Sequence, residues 1–285
     1  MSISVQRCLS CFFLATMVSV GLLLGGVVPG AAAAPAGAAE PIMVWTQEAE
    51  GLYQVYLSRQ VDGQWQTPQA ISTNKKLNIV PAVTATRAGE IWVVWAVFDQ
   101  GATDLYFRRF SDGAWAESEK IETGLQANIA PSLLVDSSQV VWLVWSGSDG
   151  QDDDIYYARW NGSAFEPAQR IADNAVPDVL PVLGLNSKGM VWAQWQYHGE
   201  AGYQTRTAVW SGEGWSEPVE ASPSFLLRRL EPAASVAVEE PTLEFEIPDF
   251  VANPDTLSLF LPEQEVQSIP VRLLNRQGQE AGKRQ

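Results

Sequence analysis

Acidic side chains recur at one place in this sequence. Between apolar segments stand Glu48 and Glu50, then Asp99 and Asp104, then Asp149, Asp152, Asp153 and Asp154, then His198 and Glu200. The densest group offers Asp149, Asp152 and Asp154 to a hard cation such as calcium, which takes several carboxylate oxygens at once. Its spacing does not follow the EF-hand order of ligands, so charge that keeps an aromatic protein solvated is the stronger reading. No other cofactor is expected. His198 is the single histidine. A Ser-His-Asp mechanism would rest wholly on it, and its acidic neighbours favour a surface role. The candidate ligand contacts are the loop residues that break the surrounding regularity: Phe98, Asp99, Tyr197, His198, Glu200 and Tyr203.

These residues need a frame, and an internal repeat supplies it. Trp45, Trp95, Trp145 and Trp195 are spaced 50 residues apart, and the same offset relates Pro81, Pro131 and Pro181, and Trp92, Trp142 and Trp192. It also relates Tyr56, Tyr106 and Tyr156; Arg59, Arg109 and Arg159; and Asn78, Asn128 and Asp178. A period of this length belongs to propellers or helical arrays. Each unit reads as four short strands, for example 131–136, 140–145, 155–160 and 165–171, rich in β-branched and aromatic residues and broken by Gly, Asp, Asn or Ser.

The segment Ile91-Trp92-Val93-Val94-Trp95 is apolar at odd and even positions alike. Both faces of its sheet must therefore be buried, as in radial sheets stacked face to face. A two-sheet sandwich would show a period of two. On this reading Trp92, Trp95, Trp142, Trp145, Trp192 and Trp195 are core, not a sugar-stacking surface. The dipeptides Asp62-Gly63, Asp112-Gly113 and Asn161-Gly162 supply the positive φ of tight hairpins between third and fourth strands. The acidic loops then lie together on the opposite face.

The stretch Ser111-Asp112-Gly113-Ala114-Trp115 is a shortened form of the hairpin signature Ser-x-Asp-x-Gly-x-x-Trp. In this the chain resembles the sialidase-like propellers with BNR, or Asp-box, repeats, over residues 41–221. The resemblance implies an all-β propeller. For activity it would require an arginine cluster, a tyrosine with a glutamate partner and an aspartate acid on one face. That constellation is not found in the sequence, and the Phe/Tyr-Arg-Ile-Pro motif is absent. Arg59, Arg109 and Arg159 recur near the opposite hairpin and suit a structural role.

The expected fold is a propeller of about four four-stranded blades at 41–71, 81–121, 131–171 and 181–219. The first lacks its leading strand, and Pro232 to Val238 is expected to complete it and close the ring, since closure removes exposed sheet edges. An open arc would instead imply an oligomer. Residues 241–285 form a C-terminal extension. Residues 1–39, with Arg7, the apolar run Cys11 to Val28 and the small-residue tract Ala31 to Ala39, read as a cleaved secretory signal peptide. No membrane span is expected after cleavage, and the product is secreted, periplasmic or at the cell surface.

Cys8 and Cys11 leave with the signal, so the mature domain has neither disulfides nor a thiolate site. A net charge of −15 without a basic stripe argues against nucleic acid. The function expected from these features is a non-catalytic binding or scaffold protein that holds a glycan or protein ligand on its acidic loop face. A sialidase-like glycoside hydrolase is the alternative, and a structural envelope component the second.

Overall fold

Continuous burial, not alternation, marks the central strands. In the computed structural model, Ile91–Asp99 is buried from Ile91 through Val97, and Val141–Ser148 from Val141 through Gly147. The structure describes residues 4–7, 40–199, 202–222, 243–246, 248, 250–251, 257–261 and 271–274. Among these residues every regular element is a strand. The multi-sheet, all-β architecture matches the sequence expectation.

Four antiparallel sheet units follow one another along the chain. The first has Ile42–Ala49, Leu52–Val61 and short outer pieces at Gln64–Trp65 and Gln69–Ala70. The second has Leu77–Ala85, Ile91–Asp99 and Ala102–Ser111. The third has Ala127–Val135, Val141–Ser148 and Asp153–Arg159, and the fourth has Asp178–Leu185, Val191–Gly199 and Gly202–Val209.

Two local expectations are corrected. The fourth strand, expected over 165–171, is broken into a single bridge, Trp160 to Phe165, and the two-residue strand Gln169–Arg170. Intervening Pro167 has no N–H for a ladder. The leading strand begins before its proline, not at it. The pairing shifts register between Ile129 and Ser132, and likewise between Ile79 and Ala82 and between Val179 and Val182. The residue before each proline takes a positive φ: 43° at Val80, 53° at Ala130 and 54° at Leu180. This bulge carries the proline, which cannot donate to the ladder, past the pairing partner.

The double burial follows from stacking of the units. Val44, Val55 and Leu57 of the first pack against Val83, Val93 and Trp95 of the second. Even-numbered Trp92, Val94 and Ala96 on the other face of the second meet Leu133, Leu143 and Trp145 of the third. Trp142, Val144 and Tyr157 of the third meet Leu183, Ala193 and Trp195 of the fourth. Trp45, Trp95, Trp145 and Trp195 are fully buried. An aromatic side chain removes roughly 150–250 Å² from water, or about 4–6 kcal/mol at about 25 cal/mol per Å².

A C-terminal segment supplies a strand to the first unit. Ser258–Leu261 pairs antiparallel with the first unit, setting Phe260 opposite Ile42 and Ser258 opposite Val44, and Ser4–Arg7 runs parallel along its other side. Residues 232–238, expected at this edge, lie outside the described residues, as do most of 1–39 and much of 241–285.

Candidate active site at the junction of the third and fourth units

A hydrogen bond repeated from unit to unit sets the frame of the site. The indole N–H of Trp95 donates to Asn78 Oδ1 at 2.8 Å, and that of Trp145 to Asn128 Oδ1 at 2.9 Å. The amide N–H groups of these asparagines donate back to the preceding unit, to the carbonyls of Tyr53 and Thr103 at 3.2 Å each. An asparagine is suited to this place because it both accepts and donates.

In the fourth unit the same position is Asp178, 1% exposed. A carboxylate has nothing to donate, and its Oδ1 is left without a well-formed hydrogen bond, as is the indole N–H of Trp195. Asn174 Nδ2 donates to Asp178 Oδ2 at 2.6 Å. Burial pushes the Asp178 carboxyl above its ordinary range, against the pull of Asn174, Trp195 and Arg206.

Asp154 lies across the junction on the third unit, where it pairs with Gly147 and is fully buried. Gly147 is needed there, since a Cβ would lie 2.6 Å from Leu125 and 2.8 Å from Tyr156. Neither carboxylate oxygen of Asp154 makes a well-formed hydrogen bond. Its one charged partner is Arg170, whose Nε lies 3.2 Å from Oδ2. Burial lifts the Asp154 pKa to about 6; Arg170 opposes the lift, and Asp152, Asp178 and Asp173 add to it.

Arg170 is the hub of the junction. It reaches Asp149 Oδ2 at 2.5 Å and Asp173 Oδ1 at 2.7 Å, and its Nε donates to the Tyr156 hydroxyl at 2.9 Å. The Tyr156 hydrogen bond and the facing Asp154 and Asp173 keep it firmly protonated. Asp154, lifted to about 6 beside one fixed cation, is placed to hold a proton in mildly acidic solution and to release it.

Of the sequence-selected residues, Asp149 and Asp154 are thus brought together by Arg170, with Asp152 on the same hairpin. Among the described residues, no group of three or more His, Cys, Asp or Glu side chains is placed to hold a metal ion. Phe98 is 44% exposed, and its neighbour Asp99 pairs with Lys76 at 2.8 Å on the second unit. His198 meets Tyr203 edge-on at 5.2 Å on the fourth, with Tyr203 66% exposed. Glu200 lies outside the described residues.

Tyr197 is buried, and its hydroxyl contacts Gln204 Oε1 at 2.6 Å and Glu220 Oε1 at 2.7 Å, with Arg206 over its ring at 3.8 Å. This is a tyrosine–glutamate pair. Its hydrogen bond to Glu220 raises the phenol pKa, however, which is the reverse of activating a nucleophile. Arg170, Asp173 and Asp178 were not singled out from the sequence. The available signal was the change from Asn78 and Asn128 to Asp178 at a single repeat position.

No family model and no curated protein sequence matches the chain. Solved structures do resemble it in fold. A Dyadobacter fermentans protein of unknown function is similar at a TM-score of 0.50 with 13% identity, over 65% of this chain and 69% of that one. A thermostable family-43 glycoside hydrolase gives 0.45 with 9% identity, over 64% and 72%. A Hadza microbial sialidase gives 0.41 with 13% identity, over 59% of this chain but only 45% of its own length. The similar structures are predominantly carbohydrate-active hydrolases. This corrects the expectation of a non-enzymatic binding or scaffold protein, which took the missing sialidase residues as a sign of no catalysis.

Proposed function

We propose that this chain is a glycoside hydrolase whose chemistry lies at the junction of the third and fourth units, with Asp154 as proton donor and Asp178 as the second carboxylate. The observation that carries this reading is the pair itself: two buried carboxyls on adjoining units, with Asp178 standing where the two preceding repeats keep a neutral asparagine. Such a departure costs stability and is characteristic of working sites. Glycosidic cleavage asks for a carboxylic acid still protonated near neutrality and a second carboxylate to steady or capture the oxocarbenium carbon. Arg170 holds Asp154 from the solvent side; a substrate hydroxyl or carboxylate takes over part of that guanidinium on binding, freeing Asp154 to protonate the leaving oxygen.

The finer architecture belongs to the same proposal. The four units are blades of a sialidase-like propeller with degenerate Asp-boxes, a C-terminal strand closes its ring, and the mature protein is exported after loss of residues 1–39. No helix among the described residues is long and apolar enough to cross a membrane. Incubation with a panel of fluorogenic aryl glycosides tests the activity. Turnover by the wild type that Asp154→Asn and Asp178→Asn each remove supports it; silence across the panel, or turnover indifferent to both changes, rejects it.

A further inference from the structure

An aromatic nest is built at two of the unit junctions and left unfilled at the remaining one. Between the second and third units, the Trp92 ring lies over Phe107 at 5.8 Å, meets Trp160 at 4.7 Å and Phe165 at 6.0 Å edge-on, and carries Arg109 at 5.4 Å. Between the third and fourth, Trp142 sits in the same way among Tyr157 at 6.2 Å, Trp210 at 5.2 Å, Trp215 at 6.0 Å and Arg159 at 5.4 Å. Each indole is thus enclosed by an aromatic ring on its own sheet, two from the next unit and a guanidinium.

At the first junction the residue in register with Trp92 and Trp142 is Ile42, and the one in register with Phe107 and Tyr157 is Leu57. The rest of the nest is kept. Phe110 and Trp115 stand where Trp160 and Phe165 stand, and Arg59 lies over the Phe110 ring at 5.0 Å. Beside Leu57, where the nest lacks its central indole, lies a half-open cleft of about 200 Å³ bordered by Leu57, Arg59, Ile91, Phe110 and Trp115 and rimmed by polar side chains, Gln66 among them.

The charge pattern changes at the same junction. Arg159 is clamped by Glu166, at 2.9 and 3.3 Å, and Arg109 approaches Glu90 at 4.0 Å. In register with Glu166 stands neutral Gln66, and Glu40, in register with Glu90, has its Oε1 accepting the Asp62 N–H at 2.8 Å. Among the described residues, Arg59 makes no ion pair.

We infer that this cavity is a binding site for a small planar aromatic carboxylate, its ring taking the place the protein's own indoles take at the other junctions and its carboxylate meeting Arg59. The ring would sit edge-on to Phe110 and Trp115, as Trp92 does to Trp160 and Phe165. A carboxylate matches the guanidinium fork in geometry and charge. The site stands on the hairpin side of the first junction and does not depend on the proposed hydrolase activity.

Calorimetry and thermal melts of the purified protein with indole-3-acetate, indole and acetate test the inference. Indole-3-acetate is expected to bind at about 1 mM or tighter, indole about tenfold more weakly, and acetate not at all. Arg59→Gln should bring indole-3-acetate down to the level of indole. Ile42→Trp, which fills the cavity with the residue used elsewhere, should abolish binding of both. No binding of indole-3-acetate at 10 mM, roughly ten times that dissociation constant, overturns the inference. So does equal binding of acetate, or unchanged affinity in Arg59→Gln; the Arg59 variant leaves the core intact and remains informative should Ile42→Trp fail to fold.

Discussion

Asp154 on the third unit and Asp178 on the fourth are both buried; burial raises the pKa of each carboxyl, the charge of Asp178 adds to the rise at Asp154, and each leaves an Oδ1 without a donor. In the two preceding units Asn78 and Asn128 hold the position of Asp178, each accepting from the indole of its own unit and donating to a carbonyl of the unit before. Their contrast separates what the fold requires from what this junction adds.

Replacing Asp178 by asparagine should therefore stabilise the protein. The amide can donate to the carbonyl of Asp153, as Asn128 does to that of Thr103, and it removes a like charge facing Asp154. An increase of about 1–2 kcal/mol is expected, read as a higher urea midpoint at unchanged m-value. A lower midpoint would mean that Asp178 is structural.

Stability should fall as pH rises through the range of the pair. Both carboxyls have folded-state pKa values above their unfolded ones, so the native state holds more protons. The contribution is complete below the unfolded value of 3.8 and is lost as pH climbs through about 6 for Asp154. For Asp154 the loss is on the order of 3 kcal/mol. Melting temperatures between pH 4 and pH 8, wild type against Asp154→Asn, measure it; the variant should be markedly flatter.

Arg170→Ala should carry a pH-dependent penalty. Without the guanidinium, Asp154 is a buried unpaired charge, which costs roughly 3–5 kcal/mol when it must stay ionised. Protonation relieves that cost, so the variant should lie closer to wild type at pH 5 than at pH 8. Parallel urea curves at the two pH values would show it, and an equal penalty at both would remove Arg170 from its assigned role.

The indole hydrogen bonds allow a comparison within one molecule. Trp145→Phe loses a bond to Asn128 and leaves the amide oxygen buried without a donor, worth about 1–3 kcal/mol beyond lost packing. Trp195→Phe gives up at most a poorly aligned contact with Asp178, because its N–H makes no well-formed hydrogen bond. The first variant should accordingly unfold at lower denaturant than the second.

Much of the frame could be read from residue order alone. The unbroken apolar run at Ile91 to Trp95 required burial on both faces, and the interfaces with the first and third units provide it. Asp62 and Asp112 do take the positive φ their hairpins need, 52° each. The bulge before each proline escaped, because a missing N–H announces a break in pairing but not how the strand absorbs it. The fourth strands were overread: their apolar residues plug the neighbouring unit instead of extending a ladder. At the site, the acidic hairpin stands out in the sequence, whereas the change from Asn78 and Asn128 to Asp178 marks a position but not the burial that makes its charge matter. Arg170 was hidden because its four partners are gathered only by folding.

The dependence of kcat/KM on pH, measured with an aryl glycoside the wild type cleaves, tests the central claim most directly. A profile whose alkaline limb falls near pH 6, together with a loss of about a hundredfold or more in Asp154→Asn, is the expected result. A rate that stays level through pH 8, or an Asp154→Asn protein as fast as wild type, would contradict it.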